Sequence, residues 1–256
     1  MTSMRRFLVS IGAIGGLAGG AALTAALTAA PALAQTLTLD LGDNTGSTTA
    51  RIIQILAMLT VLSLAPSILV MVTSFTRIVT VLSFLRTALG IQQSPPSSVI
   101  ISLALFLTAF VMAPTFEQAF NSGIKPLINE EISEGEALNR TIVPFHKFMT
   151  AHVRDRDLKL FLDISKTPVP DNADEVPLKA LVPAFMISEL RRAFEIGFLL
   201  FVPFLIIDMV VASVLLSMGM MMLPPAVVSL PFKLIFFVLV DGWLLVAGSL
   251  VQSFGP

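Results

Sequence analysis

From residue 196 to its last residue the chain carries three charges in 61 residues, Asp208, Lys233 and Asp241. This run is interrupted once, by Ser217-Met218-Gly219-Met220-Met221-Met222-Leu223-Pro224-Pro225. At a rise of about 1.5 Å per residue, the apolar stretch on either side is long enough to cross a hydrocarbon core about 30 Å thick. Two helices are expected, over residues 192–218 and 230–254, with the chain reversing between them. Consecutive prolines cannot continue a helix, because each lacks an N–H and the second restricts the first. They therefore mark the reversal. A turn in water favours Gly, Ser, Asn and Asp; this one is thioether after thioether. Methionine is unbranched and polarisable and fits irregular or changing surfaces. Two readings stay open on these residues alone: a methionine-filled core turn, or a deformable seal around something of variable shape.

The rest of the 256 residues fits a membrane protein. The chain is 55% hydrophobic and 13% charged, against about 25% charged in ordinary soluble domains, and its mean hydropathy is +0.88. A net charge of −1 argues against nucleic acid as a partner. The absence of cysteine excludes disulfides, thiolate metal sites and a cysteine nucleophile. At the N-terminus Arg5 and Arg6 precede an uncharged stretch rich in Ala, Gly and Leu, and Ala32-Leu33-Ala34 stands before Gln35. This is the pattern of a signal peptide, residues 1–34, cleaved between Ala34 and Gln35. A Sec-type route is expected, with the mature chain starting outside the cytoplasm.

Five segments follow from the charge distribution. After the signal peptide comes a short polar stretch, residues 35–50. Residues 51–116 form a first apolar hairpin, with spans over residues 52–72 and 97–114. Arg77 and Arg86 fall between those spans, on the cytoplasmic side if the positive-inside rule holds. Residues 117–190 are the aqueous segment; residues 117–195 hold 23 of the chain's 33 Asp, Glu, Lys and Arg residues. Residues 121–139 read as a polar, acidic helix or loop. Amphipathic helical pieces are expected at residues 145–149 and 158–162, and Arg154-Asp155-Arg156-Asp157 between them reads as a solvated face. Pro183 is placed to open a helix. On that helix Glu189 can meet Arg192, and Arg191 can meet Glu195, at spacings of three and four. Residues 191–256 are the second apolar hairpin. The fold class expected is thus an all-α membrane protein with about four long apolar helices in two hairpins and a mostly helical aqueous segment between them.

A charge within a membrane span costs at least ~2.5–3.5 kcal/mol, so Asp208, Lys233 and Asp241 need a reason to be there. They could form structural ion pairs with one another or with charges on neighbouring copies, or serve as proton-relay or pore-lining groups. His146 and His152 are six residues apart and do not share a helix face. No zinc spacing, phosphate-cradling loop or nucleophile elbow occurs, so neither an enzyme nor a cofactor site is expected.

The signature stretches are specific. Pro183-Ala184-Phe185-Met186-Ile187-Ser188-Glu189-Leu190-Arg191-Arg192-Ala193-Phe194-Glu195-Ile196-Gly197-Phe198, then Phe204-Leu205-Ile206-Ile207-Asp208-Met209-Val210, Met218 to Pro225, Leu230-Pro231-Phe232-Lys233 and Asp241-Gly242-Trp243 together resemble the FliP family of the type III secretion export gate. The resemblance covers residues 51–254 and favours the flagellar branch. It implies a ring of several copies with FliQ and FliR, near FlhB and FlhA, in the bacterial inner membrane at the flagellar basal body. The aqueous segment would lie on the periplasmic side. Unfolded flagellar proteins would pass through the pore, and Met220, Met221 and Met222 would form its gasket. It also implies that Glu189 and Lys233 bridge neighbouring subunits. The competing expectation is a proton-coupled secondary transporter with Asp208, Lys233 and Asp241 as its site.

Overall fold

The structure is a computed structural model that describes residues 45–91, 94–170, 172–220 and 222–255. The signal segment with its Ala34–Gln35 cleavage point, and Met221, lie outside the described residues. The described residues divide after Met58 into two units, and the second carries almost all of the described helices.

Regular structure among the described residues is entirely helical. In order these are α1 (Thr45–Val72), α2 (Phe75–Ala88), α3 (Ser97–Ala119), a π-turn (Phe120–Ile124), α4 (Lys125–Ile128), α5 (Glu134–His152), α6 (Asp155–Ile164), a 3-10 turn (Ala173–Glu175), α7 (Leu178–Ser217), α8 (Pro225–Leu239) and α9 (Gly242–Gln252). Two stretches are long and apolar enough to cross a membrane without a break, the 32 residues Ser97–Ile128 and the 40 residues of α7. Two more qualify only as bent pairs: Pro66–Val72 with α2, bent by 82°, and α8 with α9, bent by 63°. The number of candidate spans among the described residues is therefore two to four.

Three helix ends differ from expectation, each for a backbone reason. The helix before the methionine turn is stopped by Gly219, not by the prolines. Gly219 takes φ +76°, its N–H donates to Leu216 O at 3.1 Å, and the Met220 N–H donates to Leu215 O at 3.0 Å. That is a Schellman ending, which needs a left-handed residue that glycine supplies without a Cβ penalty. Pro224 and Pro225 instead open α8, as its N-cap and first residue. Pro183 opens nothing: α7 starts at Leu178 and runs through Pro183 and Pro203. The hydrogen bond Pro183 removes is offset by the packing of its neighbours Ala180, Leu181, Ala184 and Phe185, all buried. Finally, the helix expected over residues 230–254 breaks at Asp241, which adopts φ 48°. Gly242 then lies so close to Phe237 that a Cβ there would meet the ring at 2.1 Å.

The core forms around α2. Ile78, Val81, Leu82, Leu85, Ala88 and Leu89 pack with Ala104 and Leu107 of α3, Ala193 and Phe204 of α7, Phe237 of α8, and Val246 and Leu250 of α9. Full burial of such side chains is worth about 1.5–3 kcal/mol each. A second cluster of Met149, Val176, Leu181 and Phe185 joins the aqueous segment to the start of α7. The segment 121–139 is in part the π-turn and α4; helix then resumes after Ser133, whose hydroxyl accepts from the Glu136 N–H, as in a capping box.

Candidate functional site

α2 is held at both ends by charges, and those charges define the site. Near its start Arg77 is fully buried, as is Glu189 of α7, both at 0% exposure. Arg77 Nε donates to Glu189 Oε2 at 2.8 Å, and Nη2 donates to Oε1, a two-pronged pairing that matches guanidinium to carboxylate. The remaining prong, Nη1, donates to the carbonyl and hydroxyl of Ser253, both at 3.0 Å. The Phe254 ring lies over the guanidinium, 3.7 Å from Cζ to the ring centroid, a cation–π contact. One buried cation thus joins α2, α7 and the chain segment just beyond α9. Beside it, Ser188 Oγ donates to Asp157 at 2.8 Å and accepts from the Arg154 N–H at 3.1 Å, which extends the network into the aqueous segment.

Several expectations are redirected here. Glu189 turns inward to Arg77 and makes no ion pair with Arg192 among the described residues, whereas the Arg191–Glu195 pair forms at 3.1 Å. Asp157 is buried and bonded to Ser188, so the mixed-charge run is a solvated face only at Asp155 and Arg156. The physical reason is the same in both cases: a neighbouring helix supplies a partner that spacing along one helix cannot reveal.

At the other end of α2, Lys233 of α8 donates to Asp208 Oδ2 at 2.6 Å and to the Ala88 carbonyl at 3.3 Å. Ser229 donates to the second carboxylate oxygen, Asp208 Oδ1. The ammonium therefore closes the last turn of α2, where carbonyls lack helical partners and a cation is favoured. The same pair ties α8 back against the second half of α7. Asp208 keeps 31% of its side chain exposed. Asp241 stands apart: it is exposed at the α8–α9 break and forms no ion pair among the described residues.

Of the three methionines, Met222 is 98% exposed, Met220 is half-buried, and Met221 lies outside the described residues. His146 Nε2 donates to the Val176 carbonyl at 2.7 Å and His152 Nδ1 to the Phe148 carbonyl at 2.8 Å. No group of His, Asp and Glu residues among those described could hold a metal ion.

The match to known proteins follows this geometry. A sequence model described as the FliP family covers residues 58–250. The chain belongs to the FliP family. It is 63% identical over 216 residues to the flagellar biosynthetic protein FliP of Caulobacter vibrioides, covering 84% of this chain and 81% of that one. Identity is 54% with the Rhizobium meliloti protein of the same name, over 82% of this chain and 86% of that one. It is also 54% with the Bacillus subtilis one, over 83% and 94%. The FliP match contains Arg77, Glu189, Asp208, Ser229 and Lys233 and stops short of Ser253 and Phe254. Arg77 is the buried residue of this charge network that sequence reasoning missed. Its signal was weak: a single arginine within an otherwise uncharged stretch reads equally well as a loop charge.

Proposed function

We propose that this chain is a core pore-forming subunit of the flagellar type III protein export gate in the bacterial inner membrane, passing unfolded flagellar proteins, with its methionine turn as the seal. The observation that carries this reading is the state of that turn. Met222 is almost wholly exposed in the turn just beyond a 40-residue apolar helix that a Schellman ending closes. An apolar side chain so placed has no use in the chain's own core. Copies arranged in a ring would bring several such thioethers together, and a soft apolar constriction excludes water and ions while yielding to a passing chain. Around it, Ile206, Met209, Val210, Val214 and Leu216 of α7 are also exposed, an apolar surface too continuous for a lone soluble protein. Neighbouring copies, FliQ, FliR and lipid would cover it, with FlhB and FlhA alongside and the aqueous segment on the periplasmic side after signal cleavage.

In this reading the buried charges hold helices together. Glu189 and Lys233 have partners within the chain, so a bridge between copies at these positions requires an exchange of partners, while Asp241 is free to reach a neighbour. A proton-coupled transporter would draw Asp208, Lys233 and Asp241 into one site; the first two meet and the third does not, which favours the gate. A photo-crosslinking residue in place of Met222 tests the reading in cells arrested during export. Adducts with exported flagellar proteins are expected at Met222 and not at Leu160, an exposed residue of α6. Equal adducts at both positions, or none at Met222, would overturn it.

A further inference from the structure

Arg86, a cation of the first apolar hairpin, has no acid beside it among the described residues. Arg86, on the last turn of α2, donates through Nη1 to Ser97 Oγ at 3.0 Å and to the Pro95 carbonyl at 3.5 Å. Both partners are neutral, and Arg86 forms no ion pair among the described residues. It lines a cavity of about 400 Å³ together with Lys233, Thr87, Ile91, Ala226, Val227 and Leu230. Lys233 is 5% exposed and spends two of the three donors an ammonium carries on Asp208 and Ala88 O. Asp208 offsets one positive charge and is not among the lining residues, so the cavity is left with the charge of Arg86.

We infer that this cavity holds the phosphate of an anionic lipid headgroup. A guanidinium without a counter-ion is costly in a membrane setting, and planar donors suit phosphate oxygens. Basic pockets between membrane helices are suited to such headgroups. The walls favour a lipid over a free phosphate. Ile91, Ala226, Val227 and Leu230 are apolar, and Val227 is 67% exposed, so an acyl chain leaving the cavity continues over apolar surface. The bound phosphate would neutralise Arg86 at the point where α2, α8 and the start of α3 meet. The inference rests on the membrane reading above.

The test uses the full-length chain in nanodiscs of phosphatidylcholine, with and without phosphatidylglycerol of the same acyl chains, and reads lipid retained on the extracted protein by native mass spectrometry. Phosphatidylglycerol is expected to be retained about fivefold more than phosphatidylcholine, as about 1 kcal/mol per cation implies. Arg86→Gln should abolish most of that preference, and Arg86→Lys should keep part of it. Millimolar inorganic phosphate should not displace the lipid. No preference by the unmodified chain, an equal preference in Arg86→Gln, or displacement by inorganic phosphate would each overturn the inference. The lipid comparison on the unmodified chain decides the matter even if the variant does not fold. Failure of the chain to insert at all would sink the membrane reading as well, whereas insertion without preference sinks this inference alone.

Discussion

The two halves of α7 differ in what they bury. Between Leu178 and Gly197 eight residues are buried, among them Ser188, Glu189 and Gly197; between Phe198 and Ser217 only Phe204 and Leu215 are. Both halves are rich in apolar residues. The first half packs against α2, α5 and α6 and takes the Arg77 network. The second half meets α8 along one side, through Asp208, Ser229 and Lys233, and leaves Ile206, Met209, Val210 and Val214 outward. Apolarity therefore does not distinguish core from interface along this helix. What separates them is whether the chain itself supplies a covering element and a partner for each buried charge. We read the first half as built for the fold and the second as built for neighbours.

If that division is right, substitutions in the first half should cost stability and those in the second should cost function. The largest effect is expected for Glu189→Gln, which leaves Arg77 charged and buried without a counter-ion and turns one of its two carboxylate acceptors into an NH2 donor. A loss of about 3–5 kcal/mol is expected, read as a lower unfolding midpoint in detergent. Replacing both Arg77 and Glu189 with Leu should recover much of that loss, because no unpaired charge then remains. An unaffected Glu189→Gln protein would break the comparison. Gly197→Ala comes next. A Cβ there would sit 2.5 Å from the Phe84 ring, so about 1–3 kcal/mol of overpacking is expected in the same unfolding measurement. Gly219→Ala should cost less, about 1–2 kcal/mol, since nothing lies within 4 Å of the added Cβ and only the left-handed backbone is penalised. A sharper sign of the second half's role would be export falling further in Gly219→Ala than in Gly197→Ala, despite the smaller loss of stability.

Much of this was legible from residue patterns. The apolar runs, the charged middle segment and the amphipathic pieces within α5 and α6 follow from composition and period, because burial in helices imposes both. The pairing of Lys233 with Asp208 was one of the options that spacing left open. What could not be read were contacts between helices distant in sequence: Arg77 with Glu189 and Ser253, Asp157 with Ser188, Lys233 with the end of α2. Each joins residues whose separation along the chain carries no periodic signal. The break at Asp241 was hidden for another reason. An aspartate in a left-handed conformation beside a glycine packed on Phe237 is a tertiary outcome, and the local apolar pattern continues straight through it.

The claim that most needs testing is that the methionine turn serves a pore and not the chain's own core. The direct measurement is ion leak across the inner membrane in cells carrying Met220→Ala together with Met222→Ala, beside the unfolding midpoint of the purified double variant. Met222 is exposed and Met220 lies outside both core clusters, and substitutions away from a core change stability by about 0.5 kcal/mol or less. The expected result is a midpoint within that margin and a clear rise in leak. An unchanged leak with normal flagellar export, or a large loss of stability, would contradict the account.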